Sequence, residues 1–213
     1  MSGREAETDA VADGDAYGER PLGRVARVRS GYAFRTGVKD DPAGDVRVLQ
    51  LGDLDDEGRF DPGSLARAAF GGRAERHRVE SDDVLLTARG ARSVAFRVAA
   101  DDPVVAAAGL LVISPGASLD GDYLCWYLDH PRTRRRLDRL REGSNLGFLE
   151  KKGVERLPVP VPTLAVQREI AGLHAEQRRR GELRLALNAV EATLMNETTW
   201  RRAMPAGEQD PER

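Results

Sequence analysis

The sequence holds one cysteine, three lysines and three histidines in 213 residues. A lone Cys125 excludes an internal disulfide and a cysteine-based zinc cluster. It sits in the apolar run YLCWYL, where a small buried apolar residue is expected. His77, His130 and His174 are scattered along the chain, and no metal site is expected from them. No stretch approaches the roughly 18 uninterrupted apolar residues of a membrane span. The first residues, MSGREAETDAVADGDAYGER, show neither the basic start nor the apolar run of a secretory signal. These absences point to a cytoplasmic protein. No glycine-rich loop followed by Lys-Ser/Thr is present, which leaves out the common phosphate cradle of nucleotide enzymes. The Asn/Asp-Pro-Pro-aromatic segment used by amino-methyltransferases is missing too. No cofactor and no catalysis are expected.

The net charge is −2, which at first argues against a nucleic-acid partner. Its distribution reverses that argument. Residues 1–20 carry −4 and residues 204–213 carry −2, so the remainder, 21–203, carries +4. The acidic, Gly- and Ala-rich start and the Pro/Gly/Glu end have the composition of disordered tails. The part between them is mildly basic, which permits DNA binding without demanding it. Of the 33 basic residues all but Lys39, Lys151 and Lys152 are arginines. Arginine suits bidentate reading of guanine and phosphate; genomic composition alone produces the same bias.

RPLGRVARVRSGYAF reads as a short strand leading into a glycine turn, and VRVLQLGDL as a strand ending in Gly-Asp. DVLLTARGARSVAFRVA reads as two strands joined at Arg89–Arg92, and VVAAAGLLVIS as one or two more. Short strands with turn residues between them predict a curved mixed or antiparallel sheet. Asp120 then offers a helix N-cap, with Leu124, Leu128, Leu137 and Leu140 at helical spacing and a break at Pro131. Prolines 158, 160 and 162 forbid a helix and hold their predecessors extended. From Thr163, a plausible N-cap, to about Trp200 there is no proline. Val166, Ile170, Leu173 and Gln177, then Leu183, Leu187, Val190 and Leu194, follow alternate steps of three and four, a coiled-coil-like seam. The polar run EQRRRGEL between the two sets reads as an interruption. A helix of about 37 residues spans about 55 Å; an amphipathic helix folded back on its own domain is the alternative. The fold class is therefore α+β. Residues 1–20 form an acidic tail, 21–162 a mixed curved-sheet domain, 163–203 the long helix and 204–213 a flexible tail.

This order of features resembles a known family. "GYAFRTG", "VRVLQLGDLD", "VESDDVLLTARGARSVAF" and "DGDYLCWYLDHPRTRRRLDRLREGSNLGFLEKKGVERLPVPVPTLAVQREIAGL" resemble the target-recognition domain and following helix of type I restriction–modification specificity subunits. The last stretch carries most of the likeness: a helix before a Gly-Ser-Asn turn, a Leu-Pro-x-Pro strand, and a helix opening with Gln167 and Ile170. The resemblance implies a non-catalytic module that reads a few base pairs of double-stranded DNA. It also implies a long helix pairing with that of a second recognition half, and a DNA methyltransferase, with or without a restriction or motor subunit, bound around them. The usual subunit carries two recognition domains and two helices. Here there is no second copy, so this chain resembles a half-subunit, completed by a homodimer or by another specificity half. The loop AFGGRAERHR and the acidic tail also depart from the family pattern.

Reading duplex DNA needs donors and acceptors on protruding loops, backed by cations for phosphate. Four places qualify: Tyr32, Phe34, Arg35 and Lys39 in the first glycine turn; Gln50 and Asp53 at a strand end; Arg89, Arg92 and Ser93 in a hairpin turn; and Ser144, Asn145, Lys151 and Lys152 around the Gly-Ser-Asn loop. The resemblance raises the first, third and fourth. Each residue taken singly is equally a solvated charge or turn-former, Asn145 above all. Arg134-Arg135-Arg136 is the obvious basic run, yet consecutive helical residues spread around the cylinder. The seam residues Ile170, Leu173, Leu183, Leu187, Val190 and Leu194 are the candidates for partner binding. Two rival functions stay open. One is an interaction protein that scaffolds a complex through its helix. The other is a nuclease through the Glu-x-Lys spacing of Glu150 and Lys152 with Asp129 upstream, a spacing that arises readily by chance in a chain this charged.

Overall fold

Prolines 158 and 160 hold a short extended strand, and the chain uses it to close on its own beginning. The computed structural model describes residues 18–55, 57–70, 74–90, 92–98, 103–142 and 147–204. Strand β1 (Glu19–Pro21) pairs antiparallel with β9 (Pro158–Pro160). Glu19 and Arg20, read from the sequence as the end of a tail, are thus part of the fold, because the proline-stiffened strand offers them a partner. Residues 1–17 of that tail, and residues 205–213, lie outside the described residues. A one-turn helix α1 (Leu22–Val25) follows where a strand was expected, and the Leu22 amide donates to the Leu157 carbonyl at 2.8 Å.

Two larger sheets carry the core. The four-stranded sheet has the order β2 (Ala26–Ser30), β8 (Leu110–Pro115), β5 (Val84–Thr87), β6 (Ala95–Arg97), all antiparallel. The three-stranded sheet is β4 (Arg67–Ala68), β3 (Val46–Leu49), β7 (Val104–Ala106), with β3 and β7 parallel. The α+β class is as the sequence indicates, but the strands divide among three sheets instead of one curved sheet. Leu85, Phe96, Leu110 and Val112 of one sheet pack against Leu49, Val104 and Ala106 of the other in a single apolar cluster. Every residue of β5 is buried, which explains why VLLT shows no alternation. Arg29 bridges outward from β2: its guanidinium donates to the carbonyls of His77 (3.1 Å) and Arg78 and pairs with the buried Asp83 at 3.3 Å. The helix α2 (Ala74–His77) ends at this contact.

Helix α3 (Gly121–Asp129) packs over β5, β6 and β8. Asp120 caps it as expected, its carboxylate accepting from the amides of Asp122 and Tyr123 at 3.0 Å. Pro131 ends it and opens α4 (Pro131–Glu142), where its missing N–H costs nothing. Tyr123 and Tyr127 donate to the carbonyls of Pro160 (2.9 Å) and Pro158 (2.6 Å), tying α3 to β9. Burial pushes the Tyr123 phenol up to about 12 and raises that of Tyr127, so both remain donors at any ordinary pH. Cys125 is buried beneath this helix, against the Ala95 carbonyl. The short helix α5 (Lys151–Glu155) precedes β9.

The long helix α6 runs Leu164–Ala203, with the Thr163 hydroxyl at 3.5 Å from the Val166 amide. Among the described residues no helix is long and apolar enough to cross a membrane. Contacts divide the chain after Gln167 into one compact unit and a second that begins at Arg168. Gln167 itself is fully buried. Its amide oxygen accepts from the Asp120 amide (2.8 Å), and its nitrogen donates to the carbonyls of Ser118 (2.9 Å) and Pro162 (2.8 Å). One side chain thereby fixes where α6 starts and where α3 starts. Gln167→Ala is expected to cost about 3 kcal/mol in chemical denaturation, because three backbone groups lose their partner at once. A loss below about 0.5 kcal/mol would mean that water replaces the amide without penalty.

Candidate nucleic-acid interface

Backbone hydrogen bonds tie three of the four loop groups picked from the sequence to one turn that the sequence did not single out, and tie Leu149, near the fourth, to it through Ala88. It joins β7 to β8 through Ala107, Ala108 and Gly109. The Ala108 amide donates to the Tyr32 carbonyl (2.8 Å), while the Tyr32 amide donates to Ala106 (2.7 Å). The Ala107 amide donates to Leu49, the residue before Gln50, at 2.8 Å. The Gly109 carbonyl accepts from Ala88, the residue before Arg89, at 2.8 Å. The Ala88 carbonyl in turn accepts from Leu149, in the stretch leading to Lys151, again at 2.8 Å. Two glycines permit this convergence. Gly109 has φ +105°, a conformation essentially closed to other residues. A Cβ on Gly31 would lie 2.1 Å from the Ala107 carbonyl oxygen, so only glycine lets the end of β2 pass the turn.

Around this turn the candidates divide into support and display. Tyr32 stacks edge-on against Phe34 (4.9 Å), Phe70 (4.7 Å) and His77 (4.9 Å), and with Phe34 and Val38 it packs on Val46, Val48, Val105 and Ala107. These aromatics stiffen the first loop; Arg35 and Lys39 beyond them are exposed. Gln50 and Asp53 bind each other's backbone in a reciprocal cap, with the Gln50 amide 2.7 Å from the Asp53 carboxylate. In the hairpin, the Thr87 hydroxyl donates to the Arg92 carbonyl (3.1 Å) and accepts from the Val94 amide (2.9 Å). Ser93 is buried, and its hydroxyl accepts from Arg141 of α4 at 2.7 Å, so it holds the hairpin to that helix. Arg89 and Arg92 are exposed. The Arg89 guanidinium lies 5.0 Å from the centre of the Phe148 ring, which orients the cation without neutralising it.

In the fourth group, Ser144 and Asn145 lie outside the described residues. Lys151 and Lys152 are exposed at the start of α5. Lys151 pairs with Glu155 at 3.5 Å and lines an open groove of about 730 Å³ beside Arg24, Arg27 and Ser114. The basic run of α4 is indeed spread: Arg134 pairs with Asp129, Arg136 reaches the Tyr127 hydroxyl at 3.4 Å, and Arg135 is exposed. Sequence reasoning missed Phe148, Thr87, Arg141 and the turn itself. Only the small-residue run AAAG at 106–109 signalled a close backbone approach there. Among the described residues no group of His, Cys, Asp and Glu could hold a metal. In the second unit Ile170 is half-buried, whereas Leu173, Leu183, Leu187, Val190 and Leu194 are exposed.

No family profile and no curated protein sequence matches this chain. Solved structures do. The HsdS subunit from Thermoanaerobacter tengcongensis superposes with a TM-score of 0.56 at 18% identity, covering 81% of this chain and 40% of that one. A structure concerned with complex assembly and conformational transition of the type I R-M system gives 0.57 at 20%, covering 89% and 45%. The S subunit of a type I restriction–modification system from M. genitalium gives 0.50 at 16%, covering 83% and 44%. The fold is similar to theirs, and this chain spans less than half of their length.

The turn is expected to act as one cooperative knot. Gly109→Ala should cost about 1–3 kcal/mol from backbone strain and speed amide hydrogen exchange at Ala88, Ala108 and Leu149 together. Exchange that changes at Ala108 alone would show that the loops are held independently.

Proposed function

Starting from a fold shared with type I S subunits, we propose that this chain is a sequence-specific DNA-recognition subunit of a restriction–modification or related phage-defence methyltransferase complex, without chemistry of its own. The observation that carries this reading is that loops bearing exposed cations are pinned by backbone hydrogen bonds to one turn. Arg89 and Arg92 of the hairpin, and Arg35 and Lys39 of the first loop, are exposed donors of the kind that base edges and phosphates need. Lys151 and Lys152 extend the positive surface along the phosphate track. Residues 21–162 form the recognition domain, and 163–203 the helix that joins partners, which are a DNA methyltransferase subunit and a second copy or specificity-like half. The protein works in the cytoplasm and needs no cofactor or metal. A symmetric pair would read an inverted repeat with a fixed spacer. The row of exposed leucines on α6 also fits a scaffold whose compact unit binds protein, and DNA binding separates the two readings.

Arg89→Ala and Arg92→Ala should each weaken cognate DNA binding by about 1–3 kcal/mol and relax specificity at one position. Lys151→Ala should act evenly across sequences and lower the salt slope by about one. Wild-type affinity in both arginine variants at moderate salt would remove this face from consideration. Changing Leu187 and Leu194 together to Asp should dissolve the assembly while leaving residues 21–160 folded. Light scattering that finds the wild type monomeric, with the double variant still joining the methyltransferase normally, would reduce the helix to part of its own domain.

A further inference from the structure

Residues 1–17 carry Glu5, Glu7, Asp9, Asp13 and Asp15 against Arg4, a net charge of −4. Glu5, Glu7 and Asp9 alternate with Ala6 and Thr8, the spacing that sets side chains on one face of an extended backbone. The chain passes from this stretch through Gly18 into β1. Gly23, two residues beyond β1, begins the lining of an open groove of about 730 Å³ that holds the opposite charge.

The groove lies between α1, β2, α5 and the loop that leaves β8. Arg24, Arg27 and Lys151 line it together with Glu155, three cations to one carboxylate. Glu155 is held by Lys151 at 3.5 Å. Arg24 and Arg27 are exposed and, among the described residues, form no ion pair. Gly116, Ala117 and Ser118 make up an exposed wall of small residues, along which another backbone can lie close.

We propose that this groove is the docking site of the chain's own acidic segment, residues 5–15, laid extended with its carboxylates on Arg24, Arg27 and Lys151. Charge selects the occupant and the tether brings it there. Five residues separate Gly18 from Gly23, at most about 18 Å of chain. Asp13 and Asp9 precede Gly18 by five and nine residues, a reach of up to about 18 Å and about 32 Å. Each exposed ion pair is weak alone and is screened by salt. A short tether gives an effective concentration on the order of millimolar, enough to keep a weak site filled. The docked segment covers Lys151, one of the cations assigned above to phosphate. The consequence for DNA rests on that assignment: a specific duplex displaces the segment, whereas loosely held polyanions compete poorly with it. The groove then filters out non-specific binding.

Zero-length carbodiimide cross-linking of the full chain tests the contact, because Lys39, Lys151 and Lys152 are the only lysines in the sequence. At low salt Lys151 should join carboxylates of residues 5–15 about fivefold more often than Lys39 does. Those links should lie within one chain of an isotopically mixed sample. The link from Lys151 to Glu155 reports that α5 is intact. Arg24→Glu with Arg27→Glu should lower the segment's link about fivefold, and Arg24→Lys with Arg27→Lys should keep it within about twofold. Removal of residues 1–17 should raise affinity for non-specific DNA about threefold or more. Links shared equally between Lys39 and Lys151, links between chains, or links that survive the charge reversal overturn the docking. Unchanged DNA affinity after the removal, in a chain that binds DNA, overturns the filter. A chain that binds no DNA in either form ends the DNA reading, while the cross-links still decide the docking.

Discussion

The turn Ala107–Gly109 is the constraint on which the rest of the first unit depends. It lets two adjacent strands leave in different sheets. The strand before it, β7, lies parallel to β3, and the one after it, β8, lies antiparallel to β5 and β2. Four backbone hydrogen bonds radiate from it, directly or through Ala88, to the loops that bear the candidate cations. The arrangement depends on two glycines, Gly31 beside the turn and Gly109 within it. A Cβ on Gly31 would collide with the Ala107 carbonyl, and Gly109, with φ +105°, offers its carbonyl to the Ala88 amide.

Rigid display of cations needs neutral support, and the loops show the division. Tyr32, Phe34, Gln50, Ser93 and Thr87 carry side chains that would be useful against DNA, but each is occupied in holding its loop. The groups left outward are guanidinium and ammonium ions, which are costly to bury and so are kept at the surface by solvation itself. Placing Arg89 above Phe148 limits its freedom before any ligand arrives, which lowers the ordering cost of binding.

The second unit follows a different logic. A helix this long exceeds what a compact domain of this size covers, and its apolar stripe is exposed along most of its length. Gln167 closes the first unit, and its three hydrogen bonds fix where α6 begins.

Much of this was legible in the sequence because it rests on local causes. Prolines 158, 160 and 162 forced extension, Asp120 and Thr163 capped helices, Pro131 divided α3 from α4, and the three–four spacing announced α6. The exposed cations were legible as turn residues. What only the tertiary structure decided was which loops meet, and which candidates face inward. Arg89 and Ser93 are four residues apart in one turn, yet one points to solvent and the other to Arg141. Phe148 gains meaning only through Arg89, some 60 residues earlier in the chain. Local spacing fixes backbone states within a few residues. The side on which a side chain lies is fixed by strand pairing and by contacts distant along the chain, and short sequence patterns carry little record of those.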